Sequence, residues 1–381
     1  MKKTNTFLAL LIIAFLCDAQ DKPLYRYIFV ENHKMGIMDQ HGKVIVPARY
    51  NSIGNYSENL AAINFNDKWG FVDTNGSIVI KHQFDGTSGF VDGMAMIWSV
   101  EFPSDSDWEI YKYGFVDKNG KVVREPQFGE ASDFSEGLAA VNVGDYDSPR
   151  WGYIDRSGKM VIEPRFDAAW KFSEGLAPVK IGDKEGYIDH NGLFVIEPRF
   201  DGAGLFSDGL ASVRMGERNN GKYGYIDKNG EIVIAFQYDD VRPFENGVAA
   251  VKTGKSYYAG WEYIDKNGNK VTRVGEQYAA MQDFSEGLAA VKRAGKWGYI
   301  DSTGNLVIDI KYKDAGKFSE GLAVIKVDYK CGFIDRNGNV VIEPQFDVAW
   351  GFWGGLAWVR IGERAMYIDK TGKVIREWKE D

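Results

Sequence analysis

The chain has 381 residues with 54 acidic and 46 basic side chains, a net charge of −8, and both signs are interspersed along it. Nucleic acid is excluded as a partner, since phosphate binding needs a concentrated basic face. With 23 Phe, 20 Tyr, 11 Trp and 44 Gly against 10 Pro, the composition fits many short strands joined by glycine turns, and a disordered chain would not carry so many aromatics.

The first nineteen residues read as a signal peptide. Lys2 and Lys3 form the positive start, Phe7 to Phe15 the apolar stretch, and Cys17-Asp18-Ala19 a small-residue cleavage site. Cleavage after Ala19 leaves 20–381 as the mature chain. A lipobox at Cys17 is the minor rival, because Phe15 and Leu16 are bulky where that signal wants small residues. No mature stretch reaches the roughly 18 apolar residues of a membrane helix. The expected location is outside the inner membrane: periplasmic, cell-surface or secreted.

One sentence then repeats to the C-terminus. Lys296-Trp297-Gly298-Tyr299-Ile300-Asp301 alternates with the period of a pleated strand, Asp301-Ser302-Thr303-Gly304 turns the chain, and Leu306-Val307-Ile308 returns it. The turn aspartate recurs at 39, 73, 117, 155, 189, 227, 265, 301, 335 and 369. Ten copies, the last expected to be truncated by the C-terminus, fill the mature chain as one array without a linker.

Each copy reads as up to four short strands. The Trp-Gly strand is followed by Val-Ile-x-Pro, as in Val161-Ile162-Glu163-Pro164, where proline is expected to end the strand. Next comes Phe/Tyr-Asp-x-x-x-x-Phe, as in 166–172, a short strand or an irregular crossing. The last element follows Ser-Glu-Gly, as in Leu138-Ala139-Ala140-Val141, whose small residues place it where units crowd together. The turn aspartate accepts backbone N–H groups, and the turn glycine supplies a left-handed residue.

These residues resemble the WG-repeat (Lys-Trp-Gly repeat) family of bacterial proteins, most fully at Lys68-Trp69-Gly70-Phe71-Val72-Asp73 and at 296–301, over about nine tenths of the chain. The resemblance implies a β-rich array in often exported proteins and carries no catalytic residues to transfer. Glu262 and Met366 depart from the glycine, and Met35, Glu185, Cys331 and Ala365 from the aromatic. They suggest loose terminal copies, as capping repeats often are. The expected fold is all-β: about ten antiparallel three- to four-stranded units, as a propeller-like array or an open superhelical stack. Ten units exceed the usual four to eight blades, so a ring, two linked propellers and an open stack all remain compatible.

Signals for chemistry are weak. Asp-x-Asn-Gly resembles the start of a calcium loop, but its twelfth place falls on Phe128 or Tyr238 rather than glutamate. The four histidines hold no ligand spacing, Cys331 is alone in the mature chain, and no cofactor motif occurs. Carboxylates such as Glu136, Glu174, Glu320, Glu163, Glu197 and Glu343 recur with the repeat, whereas a catalytic pair should break it.

The informative residues are those the repeat does not require. The fifth place of the Phe-Asp element is tryptophan at Trp170 and Trp350. Insertions at 102–110, 144–150, 215–222 and 253–260 carry Trp108, Tyr146, Arg150, Arg218, Tyr257 and Tyr258, types common in interface anchors. The sequence thus points to an exported, non-enzymatic binding scaffold for a protein or peptide in the cell envelope. Carbohydrate or cell-wall binding through the non-repeat aromatics is second, and a propeller-type hydrolase third.

Overall fold

The computed structural model describes residues 25–102, 109–145, 147–245, 247–254, 261–272, 278 and 280–379. Ten small antiparallel sheets form a ten-bladed β-propeller, and no helix appears among the described residues. The blades span 27–50, 52–84, 86–128, 130–166, 168–200, 202–238, 240–272, 280–312, 314–346 and 348–379.

Strand pairing sets the unit differently from the sequence frame. A blade begins at the Phe-Asp element, continues through Leu-Ala-Ala-Val and Trp-Gly, and ends on the return strand. The tenth blade is therefore complete. Among the described residues the first blade carries three strands: β1 (Tyr27–Glu31), β2 (Lys34–Met38) and β3 (Val44–Tyr50), in the order β1-β2-β3. The Phe-Asp element is a two-residue strand in seven blades and a six-residue strand at Ser52–Ser57 and Gly202–Ser207.

The core lies between blades. Leu138, Tyr153 and Phe166 of the fourth blade pack with Ala169, Phe172, Ala177 and Val179 of the fifth, all buried. The alanines let the second strand approach its neighbour closely, and Tyr153 meets Phe172 edge-on at 5.1 Å. The same edge contact joins Tyr187 to Phe206 and Tyr299 to Phe318.

The turns behave as their residues predict. Asp301 Oδ1 accepts the backbone N–H groups of Thr303 and Asn305, both at 2.9 Å, and Gly304 stands at φ 87°. In the Ser-Glu-Gly turn both central residues are left-handed, Glu136 at 54° and Gly137 at 85°. That is the pattern of a tight two-residue hairpin turn.

Proline does not end the return strand. Met160–Phe166 runs straight through Pro164, because a bulge opposite Gly152 leaves that nitrogen without a ladder partner. The bulge also explains the glycine of Trp-Gly: a Cβ on Gly152 would sit 2.5 Å from the Ile162 carbonyl oxygen. In the tenth blade the return strand pairs without a shift at Met366, facing Glu377, so a side chain is admitted there. The departure at Met366 thus follows from regular pairing, and that blade is not loose.

Candidate functional site: the seam between the first and last blades

Among the described residues the ring closes without exchanging a strand. A Cβ on Gly42, in the β2–β3 turn, would lie 2.9 Å from the Ile375 carbonyl oxygen of the tenth blade. The turn glycines at 76 and 158 approach the return strand of the preceding blade in the same way. Tyr27 donates its hydroxyl to the Gly354 and Trp353 carbonyls at 2.7 and 3.0 Å, and Arg376 covers the Phe29 ring at 3.7 Å.

Among the described residues, seven other boundaries are each tied by an acid. The carboxylate of one Ser-Glu-Gly turn accepts the glycine N–H of the next, as Glu136 does from Gly175 at 3.0 Å and Glu320 from Gly355 at 3.0 Å. A cation from the next blade often joins it: Lys118 on Glu58, Lys228 on Glu174, Lys370 on Glu320. The recurrent turn glutamates are therefore architectural.

A groove lies at this seam, beside the edge of β1 that no described strand pairs. Its cavity of about 410 Å³ is lined by Arg26, Tyr27 and Ile28 of the first blade, Asn55 and Tyr56 of the second, and Trp350, Trp353, Trp358 and Tyr367 of the tenth. That volume is in the range of ligand pockets. Trp350 and Trp358 meet at 5.2 Å, while Trp353 sits edge-on to Tyr25 at 5.0 Å and to Tyr27 at 5.8 Å. Trp350 is 66% exposed and Trp353 55%, an unusual display of apolar area in one place. Burial pushes the Tyr56 and Tyr367 hydroxyls up to about 12, so both remain donors at neutral pH.

Of the residues singled out by sequence, only Trp350 lies here. Trp170 is exposed on the fifth blade, half a turn of the ring away, so the two tryptophans cannot share one ligand. Arg150 and Arg218 are exposed on the fourth and sixth blades, on the tips joining second and third strands. The acid turns lie at the other end of the strands. Trp108, Tyr146, Tyr257 and Tyr258 fall outside the described residues. Sequence reading missed Trp353, where most other copies have Ser, and Trp358, where they have a smaller residue. Three departures within nine residues of one copy were the available signal.

Among the described residues no cluster of three or more His, Cys, Asp or Glu could hold a metal, and no helix is long and apolar enough to cross a membrane.

A sequence profile described as WG containing repeat matches residues 35–69, 69–97, 113–146, 151–184, 186–218, 223–257, 263–297, 297–331 and 332–364. No curated protein matches the sequence significantly. Among solved structures the chain resembles a eukaryotic initiation factor at 11% identity, with a TM-score of 0.53 over 94% of this chain and 97% of that one. It is also similar to the tricorn protease (11% identity, TM-score 0.26, covering 84% and 38%) and to the acylaminoacyl peptidase of Pyrococcus horikoshii (11%, 0.35, covering 70% and 55%). The first likeness shows a shared fold alone, and the other two carry no argument.

Proposed function

The chain belongs to the WG-containing repeat family, and from that premise we propose that it is an exported, non-enzymatic scaffold that binds a protein or peptide partner in the cell envelope. The observation carrying this reading is the seam groove, where two exposed tryptophans, Trp350 and Trp353, line one concavity. Aromatic area around a concavity is the usual anchor of a protein interface. Export rests on Lys2, Lys3 and the apolar stretch before Ala19.

Cell fractionation and capture test both halves. The protein should appear outside the cytoplasm, beginning at Gln20, and Trp350→Ala should weaken recovery of its identified envelope partner at least tenfold while circular dichroism stays unchanged. A cytoplasmic protein, or capture indifferent to Trp350, would overturn the reading.

The paired rings of Trp350 and Trp358 also favour a second reading, a sugar platform. A glycan array separates the two, since only that reading expects saturable binding to a defined saccharide.

A further inference from the structure

Nine blades show what stands where the first blade has no strand among the described residues. In the tenth, Asp347 N–H donates to the Arg360 carbonyl at 2.8 Å and Trp350 N–H to Trp358 at 2.9 Å; in the ninth, Lys313 donates to Lys326 at 2.8 Å and Gly316 to Val324 at 2.9 Å. The β1 residues at the same register, opposite Ile37 and Met35, are Ile28 and Val30. Among the described residues no strand pairs with that side of β1.

Tyr367 marks the vacant position from the other side. Its counterparts donate to the carbonyl of the neighbouring blade's first element, Tyr153 to Trp170 at 2.8 Å, Tyr187 to Gly204 and Tyr299 to Gly316 at 2.7 Å. Tyr367 has no such carbonyl and reaches instead for Ile28 O, at 3.2 Å. The aromatic that normally follows the strand is supplied by Tyr27, which meets Tyr367 at 5.2 Å. What remains open is the space of a few extended residues.

We propose that the first blade takes an extended segment of a partner protein as its fourth strand, antiparallel to β1. This rests on the scaffold reading and adds the mode of binding and the chemistry of the ligand. Strand addition satisfies backbone groups on an open edge and reads alternate side chains. The segment's N–H groups bond Ile28 O and Val30 O, and one of its carbonyls takes the Tyr367 hydroxyl.

The internal copies define the sequence that fits. The residue packed between blades is alanine at 131, 169, 315 and 349, facing Val141, Val179, Ile325 and Val359. Phe29 stands in the facing place at the seam and is larger, so the segment brings Ala or Gly there. Two residues earlier the copies have Asp167, Asp201 or Asp347, whose carboxylate accepts a hairpin N–H (Gly182, Gly216, Gly362). The cation from the preceding blade, Lys184 on Asp201 and Lys330 on Asp347, is Arg364 at the seam, 58% exposed. The ligand is therefore an extended Asp-x-Ala segment followed by an apolar residue against Trp350 and Trp358.

The probe is a labelled peptide with the sequence of residues 346–351, added to the intact protein and followed by fluorescence anisotropy. Saturable binding is expected. It should weaken at least tenfold when the peptide's tryptophan amide is N-methylated, which removes the donor to Ile28 O, and when its aspartate is replaced by lysine. Amide exchange across β1 should slow on binding. Since these changes are in the peptide, folding of the protein is not at issue. Absence of binding, or equal affinity for the N-methylated peptide, overturns the proposal. So does self-association that the peptide abolishes, which gives the groove to a second copy, or slow β1 exchange in the isolated protein, which gives it to the chain's own leading residues. If an envelope partner depends on Trp350 yet the peptide does not bind, the scaffold reading stands and strand addition falls.

Discussion

The Tyr27 hydroxyl donates to the Gly354 carbonyl at 2.7 Å, across 327 residues of chain and the boundary between the first and last blades. In place of an acid reaching for a glycine N–H, the seam is held by a buried phenol, by the Tyr367 bond to Ile28 O, and by Arg376 over Phe29. The structure closes on side chains, and among the described residues no strand is shared between the first and last blades.

Tyr27→Phe should therefore loosen closure selectively. Loss of the buried hydroxyl's bonds costs about 1 kcal/mol, and amide exchange should accelerate in β1 and at 374–379 while the fifth and sixth blades are unaffected. Uniform acceleration around the ring would show that closure is not a local event.

Turn glycines should matter more than turn acids. Gly304 stands at φ 87°, where a β-branched residue is strained, so Gly304→Val should cost about 2–3 kcal/mol. Glu320→Ala removes a partly exposed carboxylate from Gly355 and Lys370 and should cost about 1 kcal/mol. Urea titration of both variants checks the order.

The turn aspartates make stability fall in acid. The Thr303 hydroxyl holds Asp301 below the ordinary carboxylate range, as Ser157 holds Asp155 and Thr371 holds Asp369. A depressed folded-state value gives stability that is complete above the unfolded value near 4 and lost as pH falls from there through the lowered values. Melting temperature should be level above about pH 5 and drop below about pH 4. Thr303→Val should lower it at pH 7 more than at pH 3.

Cys331 is the only cysteine among the described residues, buried, with its thiol pushed up by burial. It should resist iodoacetamide at pH 8 in the native protein and react in urea. EDTA should leave the melting temperature unchanged, since in the calcium-like turns each aspartate Oδ1 is already accepting two backbone N–H groups, as at Asp117 and Asp227.

Much of the fold was legible because it is repeated. Asp301 and Gly304 announce their hairpin by local chemistry, and the spacing of ten such turns gives the blade count. Where blades begin was not legible: the Trp-Gly strand is the most visible feature, yet pairing order makes it third in its sheet. Pro164 misled for a related reason, since a bulge that frees its nitrogen depends on Gly152 across the sheet. At the site, Trp350 stood out by comparison with its own position in other copies. Trp358 meets it only once the first two strands of the tenth blade pair, and Trp353 finds Tyr25 and Tyr27 only when the last blade meets the first.

The central claim is that the partner docks at the seam, and two tryptophans at one repeat position provide the test. A photoreactive residue is placed at Trp350, beside the groove, or at Trp170, on a blade whose first strand is in place, and cross-linking to the native envelope partner is compared. Cross-linking from position 350 and not from 170 is the predicted result. Equal cross-linking from both, or from position 170 alone, would contradict it.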